Sequence, residues 1–299
     1  MASDAAIRAR VFVVGVPRSG TTLLQSLLAA HSATTSFTES HFFSRYFSVL
    51  PLLGAPVLVR DPAPRVAAFL AENGETPPDA AAWFAGAGGH ALRVPPLRPF
   101  YTRAAARRLV RVLDELASRR GKPVWIEKTP RHLRYGPFLE RLCGPGTHVV
   151  HVVRDGLEAV ASLRAASQRW ERPYDLAECV RRWNADTSFS LGRIGAPSDH
   201  FVFYEDLTSR PEAVLPRLLA ALGLPWEPDV LDRYGEASRG LVTAEESWKE
   251  GVSSGIRPSG TSGRALTADE REAARRGLRT ELYEELRRRT GTTAPRGGA

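Results

Sequence analysis

The stretch Val11-Phe12-Val13-Val14-Gly15-Val16-Pro17-Arg18-Ser19-Gly20-Thr21-Thr22-Leu23-Leu24 constrains this chain more than any other. The branched apolar run at its start reads as a buried strand. A turn spans Gly15 to Gly20, and Thr21 opens an amphipathic helix with apolar positions at Leu23, Leu24, Leu27 and Leu28. Strand, glycine-bounded loop and helix together hold a phosphate. The N–H groups at the helix start lack intrahelical acceptors, and the helix dipole adds positive potential there. The spacing Gly15-x4-Gly20 matches the first half of a Walker loop, but Thr21-Thr22 stand where an NTPase carries Lys and Ser/Thr. The cation sits at Arg18 instead. The loop therefore suits a phosphate donor other than ATP with Mg²⁺.

Strands alternate with helices along the rest of the chain, which predicts a three-layer α/β/α architecture around a central parallel sheet. Residues 32–38 read as a second strand, and Glu39 follows it. A carboxylate just past a strand end lies where open α/β sheets bind ligands; a solvated Glu is the alternative. Residues 48–102 hold nine prolines and predict short helices joined by turns, an insertion suited to an acceptor lid or to packing. Residues 103–119 form an amphipathic helix with Leu109, Val112, Leu113 and Leu116 inside and a solvated arginine face. A third strand from Pro123 presents Lys128 at its end, a candidate charge stabiliser.

The clearest strand, residues 148–153, delivers Arg154, with Ser162 in the helix that follows. Together they offer a guanidinium fork and a hydroxyl to one phosphate; a salt bridge from Arg154 to Asp155 or Glu158 is the alternative. A helix over 175–192 and a strand at 201–204 come next. A helix then runs from Pro211 to Leu222 and stops at Gly223. Residues 247–266, rich in Gly and Ser with Lys249, Arg257 and Arg264, read as an anion-gripping loop. A last helix over 268–289, capped by Thr267, precedes a disordered tail at 291–299.

Basic residues outnumber acidic ones by 41 to 33, a formal charge of +8 that favours anionic ligands. No nucleic-acid-binding motif accompanies it. Two cysteines, Cys143 and Cys179, give neither a disulfide framework nor a metal site. No apolar run is long enough to span a bilayer and no signal-peptide pattern is present; with the Arg- and Ala-rich composition, this gives the expectation of a bacterial, cytoplasmic protein, and the length of 299 residues accommodates the one large domain expected over residues 1–290.

Val14–Leu23 resembles the 5′-phosphosulfate loop of sulfotransferases that use 3′-phosphoadenosine-5′-phosphosulfate (PAPS). Val153-Arg154-Asp155 with Ser162 resembles their 3′-phosphate motif, and Phe203-Tyr204-Glu205-Asp206-Leu207 is similar to a third family block. The pattern Pro17-Arg18-Ser19-Gly20-Thr21-Thr22, then His31, then Glu39, is similar to the tyrosylprotein-sulfotransferase and related bacterial branch. The resemblance implies a P-loop NTPase-like fold, PAPS as co-substrate without a metal, and sulfuryl transfer to a hydroxyl or amine. It implies Glu39 as general base, with Arg18 and Lys128 stabilising the leaving oxygen. Pro17, Arg18, Ser19, Gly20, Thr21 and Thr22 would hold the 5′ end of the donor. Arg154, Ser162, Ser254, Arg257 and Arg264 would hold the 3′-phosphate, and Tyr204 would lie by the adenosine. Pro130 occupies the position of the small-molecule branch's catalytic His, which leaves His132 as the alternative base. The acceptor and the oligomeric state are not legible. Two other readings compete: a P-loop kinase or NTPase, and a non-catalytic nucleotide-binding module.

Overall fold

The computed structural model describes residues 6–50, 55–75, 99–241, 256 and 265–291. Its strands are β1 (Ala9–Gly15), β2 (Thr34–Ser36), β3 (Phe47–Leu50), β4 (Ala55–Leu58), β5 (Val124–Lys128), β6 (Thr147–Val153) and β7 (Asp199–Phe203). The helices of its first half are α1 (Thr21–Ala29), α2 (Phe42–Tyr46), α3 (Ala63–Glu72), α4 (Pro99–Arg119) and α5 (Gly136–Cys143), the last preceded by a 3₁₀ turn at Pro130–Tyr135. The second half holds α6 (Gly156–Ser167), α7 (Leu176–Leu191), α8 (Tyr204–Ser209), α9 (Pro211–Ala221), α10 (Val230–Arg239), α11 (Ala268–Gly277) and α12 (Thr280–Arg289).

Five strands pair in parallel in the order β2-β5-β1-β6-β7. Alternation along β1 sends Phe12 and Val14 to one face and Val11 and Val13 to the other. The first face packs on Phe42, Phe43, Phe69, Leu109, Leu113 and Leu139, with Phe12 edge-on to Trp125 at 5.1 Å between ring centroids. The second packs on Leu24 and Leu27 of α1, Leu215 and Leu219 of α9 and Tyr234 of α10. Each such fully buried side chain contributes about 1.5–3 kcal/mol. Covering both faces explains why Val11–Val14 of β1 reads as an unbroken apolar run. Among the described residues, no helix is long and apolar enough to cross a membrane.

Parallel pairing puts the carboxyl ends of these five strands on one edge. The chain leaves β1 toward β2 and later crosses from β5 over β1 to β6. The direction of winding reverses at β1, and such a switch point opens a crevice beyond the strand ends.

Three expectations about elements need correction. Residues 48–102 do not begin as helices: β3 and β4 form an antiparallel hairpin that buries Phe47, Val57 and Leu58, and only then does α3 begin. Its alternating and β-branched residues outweigh the prolines as a signal; residues 76–98 lie outside the described residues. The second strand is confined to Thr34–Ser36. The final helix is two helices. Thr267 does cap the first in a full capping box with Glu270, but Leu278 adopts extended backbone (φ −77°, ψ 132°). Asn184 of α7 stitches the break by donating to the Gly277 carbonyl and accepting from the Arg279 N–H, each at 2.9 Å. The expected tail beyond 291 is outside the described residues.

Candidate active site

The loop after β1 is held by close backbone approach. A Cβ on Gly15 (φ 147°) would sit 2.3 Å from the Val152 carbonyl oxygen, and one on Gly20 (φ 94°) would sit 2.2 Å from Tyr204 Cδ2. Arg18, which is not a glycine, also has a left-handed φ of 73°, a conformation that neighbouring structure must sustain. Gly20 is the N-cap of α1 and brings no side-chain cap, and the helix has no acidic residue in its first turn. Its leading N–H groups stay available to an anion. Thr21 and Thr22 are buried beside them.

Two buried polar atoms in this loop have no hydrogen-bond partner: Arg18 Nε and Ser19 Oγ. Such atoms are costly unless a ligand satisfies them. Burial, then the nearby charge of Arg154, pushes the Arg18 guanidinium below its ordinary pKa. An anion would relieve both penalties, so the residues present fit a phosphate or sulfate group.

The end of β6 supplies the second cation. Arg154 Nη1 donates to the Arg18 carbonyl at 3.1 Å, and its guanidinium carbon lies 4.4 Å from the centroid of the Tyr204 ring. Arg154 Nη2 also donates to Glu158 at 3.1 Å. The salt bridge weighed against a phosphate role is therefore present, because Glu158 stands on the first turn of α6, facing the strand end. Asp155 caps that helix by accepting the Glu158 N–H at 3.1 Å. Ser162 is half-buried one turn beyond Glu158, on the same helix face. Tyr204 is the first residue of α8 rather than the end of a strand. Behind it, Glu205 accepts from the Asp155 N–H at 3.0 Å and from the Tyr283 hydroxyl at 2.7 Å, which ties α12 to the Arg154 corner.

The third group comes from β2 and β5. Lys128, the last residue of β5 and 2% exposed, donates to the half-buried Glu39 in an ion pair. The other Glu39 oxygen lies 3.5 Å from His41 Nε2. Burial drives the His41 imidazole down to about 4, against the pull of Glu39, so it is neutral at neutral pH. Arg18 senses the Glu39 charge as well. Glu39 and Lys128, predicted separately, are thus paired, and the Glu39 charge reaches Arg18.

His132 does not present a base. Its ring is fully buried; Nδ1 donates to Glu127 at 2.9 Å and Nε2 accepts the Phe43 N–H at 3.2 Å. Both nitrogens are engaged, so none faces an acceptor. Glu127 also accepts from Ser40 Oγ at 2.8 Å and Thr129 Oγ1 at 2.5 Å. Full burial pushes its pKa up, and the donors around it outweigh that and hold the carboxyl below the usual carboxylate range. The sequence carried a signal for this hub: an acid in a strand covered on both faces must find partners. His41 and Arg65, which also line the Glu39 loop, had no such signal. Ser254, Arg257 and Arg264 lie outside the described residues. Among the described residues, no three His, Cys, Asp or Glu side chains are grouped to hold a metal ion.

A model described as the sulfotransferase family matches residues 10–228. Protein-tyrosine sulfotransferase A of Caenorhabditis elegans is 23% identical over 239 residues, covering 74% of this chain and 51% of that protein. Protein-tyrosine sulfotransferase 2 of Gallus gallus is 26% identical over 231 residues, covering 74% of this chain and 53% of that protein. The chain spans about half the length of these relatives. In fold it is similar to the sulfotransferase domain of the Synechococcus PCC 7002 olefin synthase (TM-score 0.54, 19% identity, 91% of this chain and 95% of that one). It is likewise similar to mouse sulfotransferase SULT7A1, solved with PAP (TM-score 0.52, 12% identity, 96% and 87%). With the loop, the Arg154 corner and the matched 10–228 span in agreement, the chain belongs to the sulfotransferase family.

Proposed function

We propose that this chain transfers a sulfuryl group from PAPS to a hydroxyl or amine of a small metabolite, glycan or lipid. The observation that carries this reading is the pair of buried unpartnered atoms, Arg18 Nε and Ser19 Oγ, at a helix start flanked by Arg154. When bound, the donor supplies an activated sulfuryl group on a phosphate leaving group. The N–H groups of residues 20–22 and the Arg18 guanidinium stabilise the bridging oxygen as its bond to sulfur breaks, while the Ser19 N–H donates to the Val16 carbonyl at 3.2 Å and shapes the loop. Lys128 adds a positive charge once the donor draws it from Glu39. Glu39 takes the acceptor's proton as the new bond to sulfur forms. Arg154, Ser162 and the 254–264 loop hold the 3′-phosphate, and Tyr204 lies along the nucleoside. That second phosphate grip separates the donor from ATP. A kinase reading lacks its loop Lys, because Thr21 stands there.

The test is to incubate the protein with sulfur-labelled PAPS and the pooled small-molecule fraction of a cell extract, and to follow label and adenosine 3′,5′-bisphosphate together. Equal appearance of both supports the reading. Phosphate transfer from ATP with Mg²⁺, or bisphosphate binding without turnover, favours the kinase or the non-catalytic reading instead.

A further inference from the structure

Arg65 takes no part in the chemistry described so far. It stands in the first turn of α3, with its side chain 11% exposed, and makes two part-buried contacts to main-chain carbonyls and two exposed ones to Glu72. Nε donates to the Ser40 carbonyl at 2.9 Å, and Nη2 donates to the Glu39 carbonyl at 2.6 Å. Nη1 and Nη2 donate to the two oxygens of Glu72 at 2.5 and 2.9 Å. Glu72 accepts in turn from Thr38 Oγ1 at 3.0 Å, and Asn73 Oδ1 accepts the Thr38 N–H at 3.3 Å. On the other side of the same loop, Glu127, Thr129 and His132 accept the N–H groups of Ser40, His41 and Phe43.

The main chain around Glu39 is thus gripped from two directions, with its carbonyls bound by α3 and its N–H groups by β5 and the turn after it. A loop so held sustains the left-handed φ of 54° at His41, a residue without the freedom of glycine. Only a planar fork reaches two carbonyls and a carboxylate at once, so Lys is no substitute.

We propose that Arg65 is the positioning residue of Glu39, which fixes the carboxylate at the crevice and couples its place to α3. This rests on the sulfuryl-transfer reading with Glu39 as base. Displacing a reacting group by about 1 Å costs about a hundredfold in rate. Arg65→Ala should therefore lower kcat by about tenfold to a hundredfold. It should leave the KM for PAPS and the affinity for adenosine 3′,5′-bisphosphate within about twofold, since Arg65 touches neither the loop after β1 nor Arg154.

The test measures label transfer from PAPS into the pooled extract for four proteins: wild type, Arg65→Ala, Glu39→Gln and the double variant. A loss of kcat in Arg65→Ala that disappears in the Glu39→Gln background, and is partly restored by added methylguanidine, supports the proposal. An equal loss in both backgrounds, or a loss carried by KM alone, overturns it. If Arg65→Ala does not fold, Arg65→Lys and Glu72→Gln carry the same comparison, with the same decisive outcomes. A wild-type protein without transfer overturns the sulfuryl-transfer reading and the proposal together, whereas full transfer in Arg65→Ala overturns the proposal alone.

Discussion

The Arg154 guanidinium donates to the main-chain carbonyl of Arg18 at 3.1 Å, from 136 positions away in sequence. The bond fastens the carboxyl end of β6 to the one strained non-glycine residue of the loop after β1. The same guanidinium lies over the Tyr204 ring and donates through Nη2 to Glu158. Replacing Arg154 by Lys keeps the charge and loses the fork. Affinity for adenosine 3′,5′-bisphosphate should fall by about tenfold or more, while affinity for adenosine 5′-phosphate changes little. Titration calorimetry with both nucleotides checks this.

Gly20 meets Tyr204 more closely than a side chain permits. Gly20→Ala should cost about 1–3 kcal/mol, because the new Cβ meets the ring at 2.2 Å and the backbone φ is 94°. Adding Tyr204→Ala should recover part of the loss by opening space, leaving only the backbone strain. Chemical denaturation of the single and double variants measures both terms.

The Glu127–His132 pair predicts a loss of stability without a change of base. His132→Ala removes a donor from a buried carboxylate and an acceptor from the Phe43 N–H. The cost should be about 3–5 kcal/mol. The pH–rate profile of the folded variant should keep its acid limb, because the ring faces no acceptor. A lost limb would return His132 to the chemistry.

Histidines kept neutral by burial make the fold sensitive to acid. Burial, then the charge of His148, lowers His200 from 6.5 to about 4, and burial lowers His41 to about 4 as well. Below 6.5 the unfolded chain binds more protons than the native one, so stability rises with pH in this range. The contribution is complete above about 6.5 and is lost as the pH falls through about 4. The thermal midpoint should drop steadily across that window, and His200→Gln should flatten the drop.

The strand, loop and helix from Val11 to Ala29 were legible because their signals are local: a branched run, two glycines and a leucine stripe. Glu39, Lys128 and Arg154 were legible singly, as residues at or just past strand ends. Their convergence followed from the parallel order of the sheet. Arg65 was not legible, since its partners Glu39 and Ser40 lie 26 and 25 positions back and only α3 brings it to them. The break at Leu278 was hidden for the same reason: Asn184, which stabilises it, is more than 90 positions away. The hairpin at 47–58 was obscured by prolines, which a short two-stranded edge tolerates.

Single-turnover transfer of labelled sulfuryl from PAPS by Glu39→Gln tests the mechanism most directly. A bound donor that turns over at least about a hundredfold more slowly than in the wild type, with unchanged affinity for adenosine 3′,5′-bisphosphate, is the predicted result. Transfer at the wild-type rate would contradict it.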